Sequence, residues 1–533
     1  MRRGLVVAVT LTALAVAVGV YSRVSGGSPP PPRRHSPPTT VPPTSLGPHG
    51  TTATWVVAEN QRPGTSGWEI SGQQRPDSIE GYASVTSAQR GESVGLYVST
   101  AAPTFHVEAY RIGWYQGHGG RLVWSSPDAP GGAQPNPAPQ PGTNMVECHW
   151  KASMTLTVGA DWPPGDYILK LVGSGGQQSW VPLTVRDDTS RATYLVLNAV
   201  TTWQAYNLWG GYSLYQGLSG RGHSDFAHRS RVVSFDRPYS FGSGAADFYG
   251  NEYPLVRLVE RLGLDVSYAT DVDLDEEPGM LQAHRAVISL GHDEYWSTAM
   301  RDGATEARDQ GVNLMFLGAN AVYRHIRFAS SPLGQDRHEI CYKVASEDPL
   351  HGVNDSEVTS NWPDPPVPRP ESDLVGDMYR CNPVKADLVV VDPSSFVVAG
   401  TGLTAGAKLA GVVGSEYDRY VPSLPGPRNV EIVAHSPLTC RGAPDHSDVT
   451  YYTAPSGAGV FASGTNLWVA SLGGACATEC EVPAVTAMTE NVLAAFAPGP
   501  AGRRYPSRTN WTDFYPVPSG STTSTTAPPS GPD

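Results

Sequence analysis

The stretch SLGHDEYWS, residues 289–297, gathers a hydroxyl, an imidazole, two carboxylates and a phenol: Ser289, His292, Asp293, Glu294 and Tyr295. Groups of these types relay protons or hold a metal ion. A nucleophilic mechanism has little support, because no G-x-S-x-G elbow occurs and no cysteine sits in this turn. The His/Glu spacing of a zinc-protease helix is also absent. The remaining oxygen-rich set of Tyr, Glu and Asp, with one His, suits a hard Lewis acid such as ferric iron. A tyrosine ligand must lose a proton that it normally holds to pH ~10, which requires a strong cation beside it.

The apolar run Ala286-Val287-Ile288 precedes these groups and reads as a buried strand, with Gly291 bending the chain after it. In open parallel sheets, ligands bind beyond the carboxyl ends of the strands. The polar run occupies such an end, and Asn320, which closes the strand VNLMFLGAN, should face the same crevice. Ser297 is placed to cap the helix that follows. Residues 190–498 alternate strand and helix patterns: TYLVLNAV, PLVRLVERLG, LDVSYATD, AVISLG, a helix over 300–310, then VNLMFLGAN. That order predicts an α/β domain with a parallel sheet covered on both faces. Later runs are denser in strands and either extend the sheet or add an antiparallel layer, and 484–496 reads as a closing helix. Residues 53–187 show short alternating strands and no helix period, which predicts an immunoglobulin-like β-sandwich. Its run Tyr110-Arg111-Ile112-Gly113-Trp114-Tyr115 reads as core packing ahead of a binding face.

At 533 residues the chain is too long for one ordinary core, so two or three domains are expected. The net charge is −13 with no basic stripe, which argues against nucleic acid as a partner. Arg2 and Arg3 precede an apolar run over residues 5–21. As a helix it reaches about 26 Å at ~1.5 Å per residue, just short of the ~30 Å hydrocarbon core. Residues 1–21 are therefore a signal peptide or a membrane anchor, and the lack of a small-x-small cleavage site favours the anchor. The two arginines would stay inside and direct the rest outward, leaving the protein membrane-anchored facing outward, or secreted. A Pro-rich linker follows over 22–52, and 499–533 reads as a disordered tail. Six cysteines, Cys148, Cys341, Cys381, Cys440, Cys476 and Cys480, fit disulfides outside the cytoplasm. Cys476 and Cys480 lack a second pair with zinc spacing.

Residues 289–296 (SLGHDEYW), 311–320 (GVNLMFLGAN) and 414–419 (GSEYDR) resemble the C-terminal domain family of the N,N-dimethylformamidase large (beta) subunit. Residues 202–207 (TWQAYN) and 110–115 (YRIGWY) match the same relatives, so the resemblance runs over about 53–498. It implies a sandwich followed by a class I glutamine-amidotransferase-like α/β domain without that fold's cysteine nucleophile. It further implies a mononuclear iron held by two tyrosines and a glutamate. Tyr295 falls on the family's H-x-E-Y motif. Tyr253 is the second tyrosine, with Tyr249 its rival, and Glu371 is the glutamate, with Glu339 competing. Glu416 matches an acidic position that acts as a base or orients water, while His292 and Asn320 face the substrate or support the metal. Iron would polarise an amide carbonyl and acidify a bound water, and Glu416 or Glu294 would take the proton. The expected function is an exported metal-dependent hydrolase that cleaves an amide C–N bond of a small or cell-surface substrate. Self-association into a homo-oligomer is compatible with this. The export segment and spacer argue that dimethylformamide is not the natural substrate. The alternative is a non-catalytic cell-surface protein whose sandwich binds cell-wall glycan or a protein partner through Trp114 and Tyr115.

Overall fold

Four apolar runs form strands buried at every position, as inner parallel strands are: Tyr194–Asn198 (β1), Val266–Thr270 (β2), Ala286–Gly291 (β3) and Asn313–Gly318 (β4). The computed structural model describes residues 44–515 except 73, 76, 77, 220, 221 and 475–480. Glu431–Cys440 (β5), Ala443–Thr453 (β6) and Gly459–Ala462 (β7) complete a seven-stranded sheet in the order β2-β1-β3-β4-β7-β6-β5. The first five strands are parallel, and β6 runs antiparallel to both of its neighbours, β7 and β5. Alternate residues feed two cores. Ile288, Leu290, Met315 and Leu317 enter one, and Val287, Leu314 and Phe316 enter the other. Each such side chain contributes roughly 1.5–3 kcal/mol by leaving water.

The expected class, a glutamine-amidotransferase-like α/β domain behind an immunoglobulin-like sandwich, is corrected by the architecture. The described chain is strand-rich, 36% strand against 21% helix, and its strands divide among seven sheets. The main helices are Tyr253–Arg261 (α1), Asp271–Glu276 (α2), Thr298–Asp309 (α3) and Pro483–Phe496 (α4). Helix is thus the minor element of the described chain. The strand–helix alternation stops at β4, after which the chain turns to long antiparallel pairs. One is Met378–Val389 with Lys408–Arg419. A four-stranded sheet joins Val232–Ser234, Gly334–Ile340, Arg324–Ser331 and Tyr295–Ser297 in that order.

Besides a hairpin of Thr44–Gly47 with Gly50–Ala53, the region before β1 forms two sheets. One holds Ser87–Gln89, Gln178–Arg186, Gly165–Gly173, Thr104–Ile112 and Gly120–Ser125, and the other holds Ile79–Ala83, Ser93–Thr100 and Met154–Thr157. Tyr110, Ile112, Ile168 and Trp180 of the first sheet enter the same core as β1 and α1. Arg111 on that sheet forms a fully buried two-pronged pair with Glu260 on α1, at 2.6 and 3.1 Å. All described residues belong to one compact unit.

The expected anchor over 1–21, and the linker as far as residue 43, lie outside the described residues. No described helix is long and apolar enough to cross a membrane. Part of the expected linker pairs as Thr44–Gly47 with Gly50–Ala53. Part of the expected tail is folded: Trp511 is buried, Asn510 bonds both backbone groups of Ile432, and Tyr515 donates to Asp448. Cys381 and Cys440 form a disulfide, Cys148 and Cys341 are buried thiols, and Cys476 and Cys480 lie outside the described residues.

Two glycines allow close approaches at the end of β3, one to Asn251 and one to β4. Gly291 has φ +56°, and a Cβ there would meet the Asn251 carbonyl oxygen at 2.4 Å. A Cβ on Gly318 would meet the Gly291 carbonyl oxygen at 2.0 Å. Ser297 caps α3, accepting from the Met300 N–H at 3.2 Å, a contact worth about 1 kcal/mol.

Candidate active site

Beyond Gly291 the chain is laced to the loop after β4. Val322 N–H donates to the Asp293 carbonyl, and the N–H groups of Tyr323 and Arg324 donate to the Glu294 carbonyl, at 2.8–3.0 Å. The Glu294 N–H reaches Thr202 Oγ1 at 2.9 Å, on the short helix Val200–Tyr206 that follows β1. Three strand ends therefore fix one turn, which places His292, Glu294 and Tyr295 together.

Glu294 is fully buried and its oxygens are occupied. Tyr206 donates at 2.8 Å, Tyr215 at 2.9 Å to each oxygen, and Arg324 Nε at 3.0 Å. Tyr295 is also fully buried and accepts from Lys343 Nζ at 2.6 Å, while that ammonium lies 3.4 Å from the Tyr215 ring centre. Burial, followed by the Glu294 charge, raises the Tyr206, Tyr215 and Tyr295 phenols well above their usual value.

His292 lies between two carboxylates, with Nε2 3.5 Å from Glu294 and 3.4 Å from Glu416. Burial opposes its charge, but Glu416 and Glu294 outweigh it and push the imidazole up to about 9. Glu416 comes from the strand Lys408–Arg419. Burial acts to raise it, yet His292, Asn382 and Asn320 hold it below the usual carboxylate range. Asn382 Nδ2 donates to Glu416 Oε1 at 2.9 Å, and Oε2 has no hydrogen-bond partner. Asn320 takes φ +59°, a left-handed conformation that asparagine tolerates, and its N–H is held by the Asp418 carboxylate at 2.8 and 3.0 Å. His292, Glu294, Glu416 and Asn320 are thus brought together. Asp293 is a clip, accepting from Ser289 at 2.7 Å and Trp296 at 2.6 Å.

The three expected iron ligands each have their own set of contacts. Tyr253 lies in an aromatic cluster, 5.2 Å from Trp68 and 5.6 Å from its rival Tyr249, ring to ring. Glu371 is buried behind Tyr379, whose N–H it accepts at 3.2 Å, and burial pushes it up to about 7. The competing Glu339 is buried with both oxygens unpartnered. Tyr253, Tyr295 and Glu371 share no hydrogen-bond partner or ring contact among the described residues. No group of three or more His, Cys, Asp or Glu side chains among those residues is disposed to hold a metal. Lys343 Nζ donates to the Tyr295 oxygen.

The sequence reading missed Tyr215, Arg324, Lys343, Tyr379 and Asn382. Tyr206 stood in the quoted run TWQAYN, whereas Lys343 and Tyr215 belong to no motif and reach Tyr295 only through the fold. Tyr115 is buried and donates to Glu59 at 2.8 Å. Trp114 lies under Arg257, 4.5 Å from the guanidinium carbon.

A family described as N,N-dimethylformamidase beta subunit-like, C-terminal, matches residues 106–481. No curated protein matches. Among solved structures, the chain aligns with a Paenibacillus sp. cycloisomaltooligosaccharide glucanotransferase complexed with cycloisomaltoheptaose. That alignment has 8% identity and a TM-score of 0.16, covering 58% of this chain and 61% of that one, and likeness at this level carries no functional argument.

Proposed function

The chain belongs to the N,N-dimethylformamidase beta subunit-like C-terminal family, and from that premise we propose that it hydrolyses an amide C–N bond at the crevice holding His292 and Glu416. The observation that carries the reading is the pair itself: a carboxylate whose Oε2 has no hydrogen-bond partner and lies 3.4 Å from an imidazole pressed between two carboxylates. Asn382 fixes Glu416 Oε1 and leaves Oε2 to take a proton from water. The water oxygen then attacks the amide carbonyl. Protonated His292 gives its proton to the departing nitrogen, so an acid and an amine leave. Glu416 returns its proton to His292 and resets the pair. Glu294 serves as a positioning residue, because Tyr206, Tyr215 and Arg324 already occupy its oxygens. No step is routed through iron.

We place this activity outside the cytoplasm, on a small or cell-surface amide. The Cys381–Cys440 disulfide supports that location, because such bonds persist in oxidising compartments. The test is amine release from a panel of small and wall-derived amides, read with an amine-reactive dye. Glu416→Gln should lower the rate about 10²–10⁴-fold with the fold intact. Wild-type rates in both Glu416→Gln and His292→Gln, or no amine from any substrate, would overturn the reading.

A further inference from the structure

A second site lies where the sheet containing Gly165–Gly173 meets the carboxyl end of β1. There a cavity of about 40 Å³ is lined by Asp166, Asn198, Arg237, Trp203, Phe235 and Tyr239, among others. It has room for a few waters, and so for a ligand the size of glycine. None of the residues placed in the His292–Glu416 crevice lines it.

Its polar groups are incompletely used. Asp166 is 2% exposed. Its Oδ1 accepts from Asn198 Nδ2 at 2.5 Å and Thr184 Oγ1 at 3.2 Å, while its Oδ2 has no partner. Asn198 Oδ1 is also unpartnered. Arg237 is 1% exposed, and its terminal nitrogens donate only to the carbonyls of Trp209, Tyr212 and Asn207, leaving Nε without a partner. Arg337, the other guanidinium in the lining, already faces Asp236 at 2.8 Å. The cavity therefore holds one carboxylate and one guanidinium, neither in a salt bridge. Buried charges normally carry a counter-charge. The strain registers on both groups: burial pushes Asp166 up to about 7 and Arg237 down to about 10.

We propose that this cavity binds a small zwitterion, an α-amino acid of the size of glycine or alanine. Its ammonium meets Asp166 Oδ2 and Asn198 Oδ1, and its carboxylate meets Arg237 Nε. Each unpartnered atom then gains a charge-assisted hydrogen bond. Trp203, Tyr239 and Phe235 give the cavity an aromatic wall. A simple amine or a simple carboxylate answers only one end.

The test is calorimetric titration of the full chain with glycine and L-alanine, beside methylammonium, acetate and propionamide. The expected result is saturable binding of glycine or alanine, at least tenfold tighter than any of the other three. Asp166→Asn, checked for folding by circular dichroism, should weaken glycine binding at least tenfold. Because that variant risks misfolding, crystals soaked in glycine provide a second reading, with continuous density expected from Asp166 to Arg237. Equal or tighter binding of a one-ended probe or of propionamide, undiminished glycine binding in folded Asp166→Asn, or only waters in the soaked cavity would each overturn the proposal.

Discussion

His292 keeps its proton against burial because Glu416 and Glu294 face the same nitrogen. The proposed reaction needs that proton and the Glu416 charge together. Amine release should therefore hold level across neutral pH. It should fall as pH rises through about 9, where His292 is neutralised. It should fall in acid only below the ordinary carboxylate range, where Glu416 is protonated. Stability follows the same signs. The raised imidazole contributes fully below its unfolded value near ~6.5 and loses that contribution as pH rises through about 9. The depressed Glu416 carboxyl contributes above its unfolded value near ~4.3 and loses that in acid. His292→Gln should thus lose more stability relative to wild type at pH 6 than at pH 10, measured by urea unfolding. His292, Glu294 and Tyr295 were legible in the sequence because one strand end presents all three. Lys343 and Tyr215 were not, because a single lysine or tyrosine declares its role only once distant segments meet.

The strand Met378–Val389 carries Asn382 to Glu416, and the disulfide at the adjacent Cys381 ties it to the end of β5. Arg441, next to Cys440, donates to the Asn382 carbonyl at 3.2 Å. The bond spans 59 residues of sequence. Cys381→Ser with Cys440→Ser should cost about 2–4 kcal/mol by chemical denaturation. It should also slow amine release by loosening the Asn382 hold on Glu416, while Cys148→Ser leaves that rate unchanged. Free-thiol counting should find neither Cys381 nor Cys440 reactive in the untreated protein. Element by element, β1 to β4 were readable as apolar runs separated by turn residues. The class built on them failed because these four strands are a small part of a strand-rich chain, whose later long strands such as Lys408–Arg419 pair antiparallel in further sheets.

At the scale of the molecule, the Arg111–Glu260 pair fastens the sheet containing Thr104–Ile112 to α1. Asn60, Tyr268 and Pro164 supply further bonds to the two charged groups. Removing one partner from a buried pair leaves the other charge unanswered, at a cost of about 3–5 kcal/mol. Glu260→Ala should show that loss and still unfold in one transition by calorimetry, because Tyr110, Ile112, Ile168 and Trp180 share a core with β1 and α1. Two separate transitions would mean that the parts before and after residue 190 fold independently. That shared core was hidden in the sequence, since alternation shows which face of a strand is apolar but not what covers it.

Gly291 and Gly318 act together as a gauge block. Neither carries a functional group, yet the bare Gly318 lets the end of β4 close on the Gly291 carbonyl, and the bare Gly291 lets the end of β3 close on Asn251. A methyl group at residue 318 would wedge the Gly291 carbonyl aside and open the crevice without altering any reacting atom. The width of the reaction space thus depends on an absent carbon at residue 318, which offers a means of retuning substrate size while leaving the acid and the base untouched.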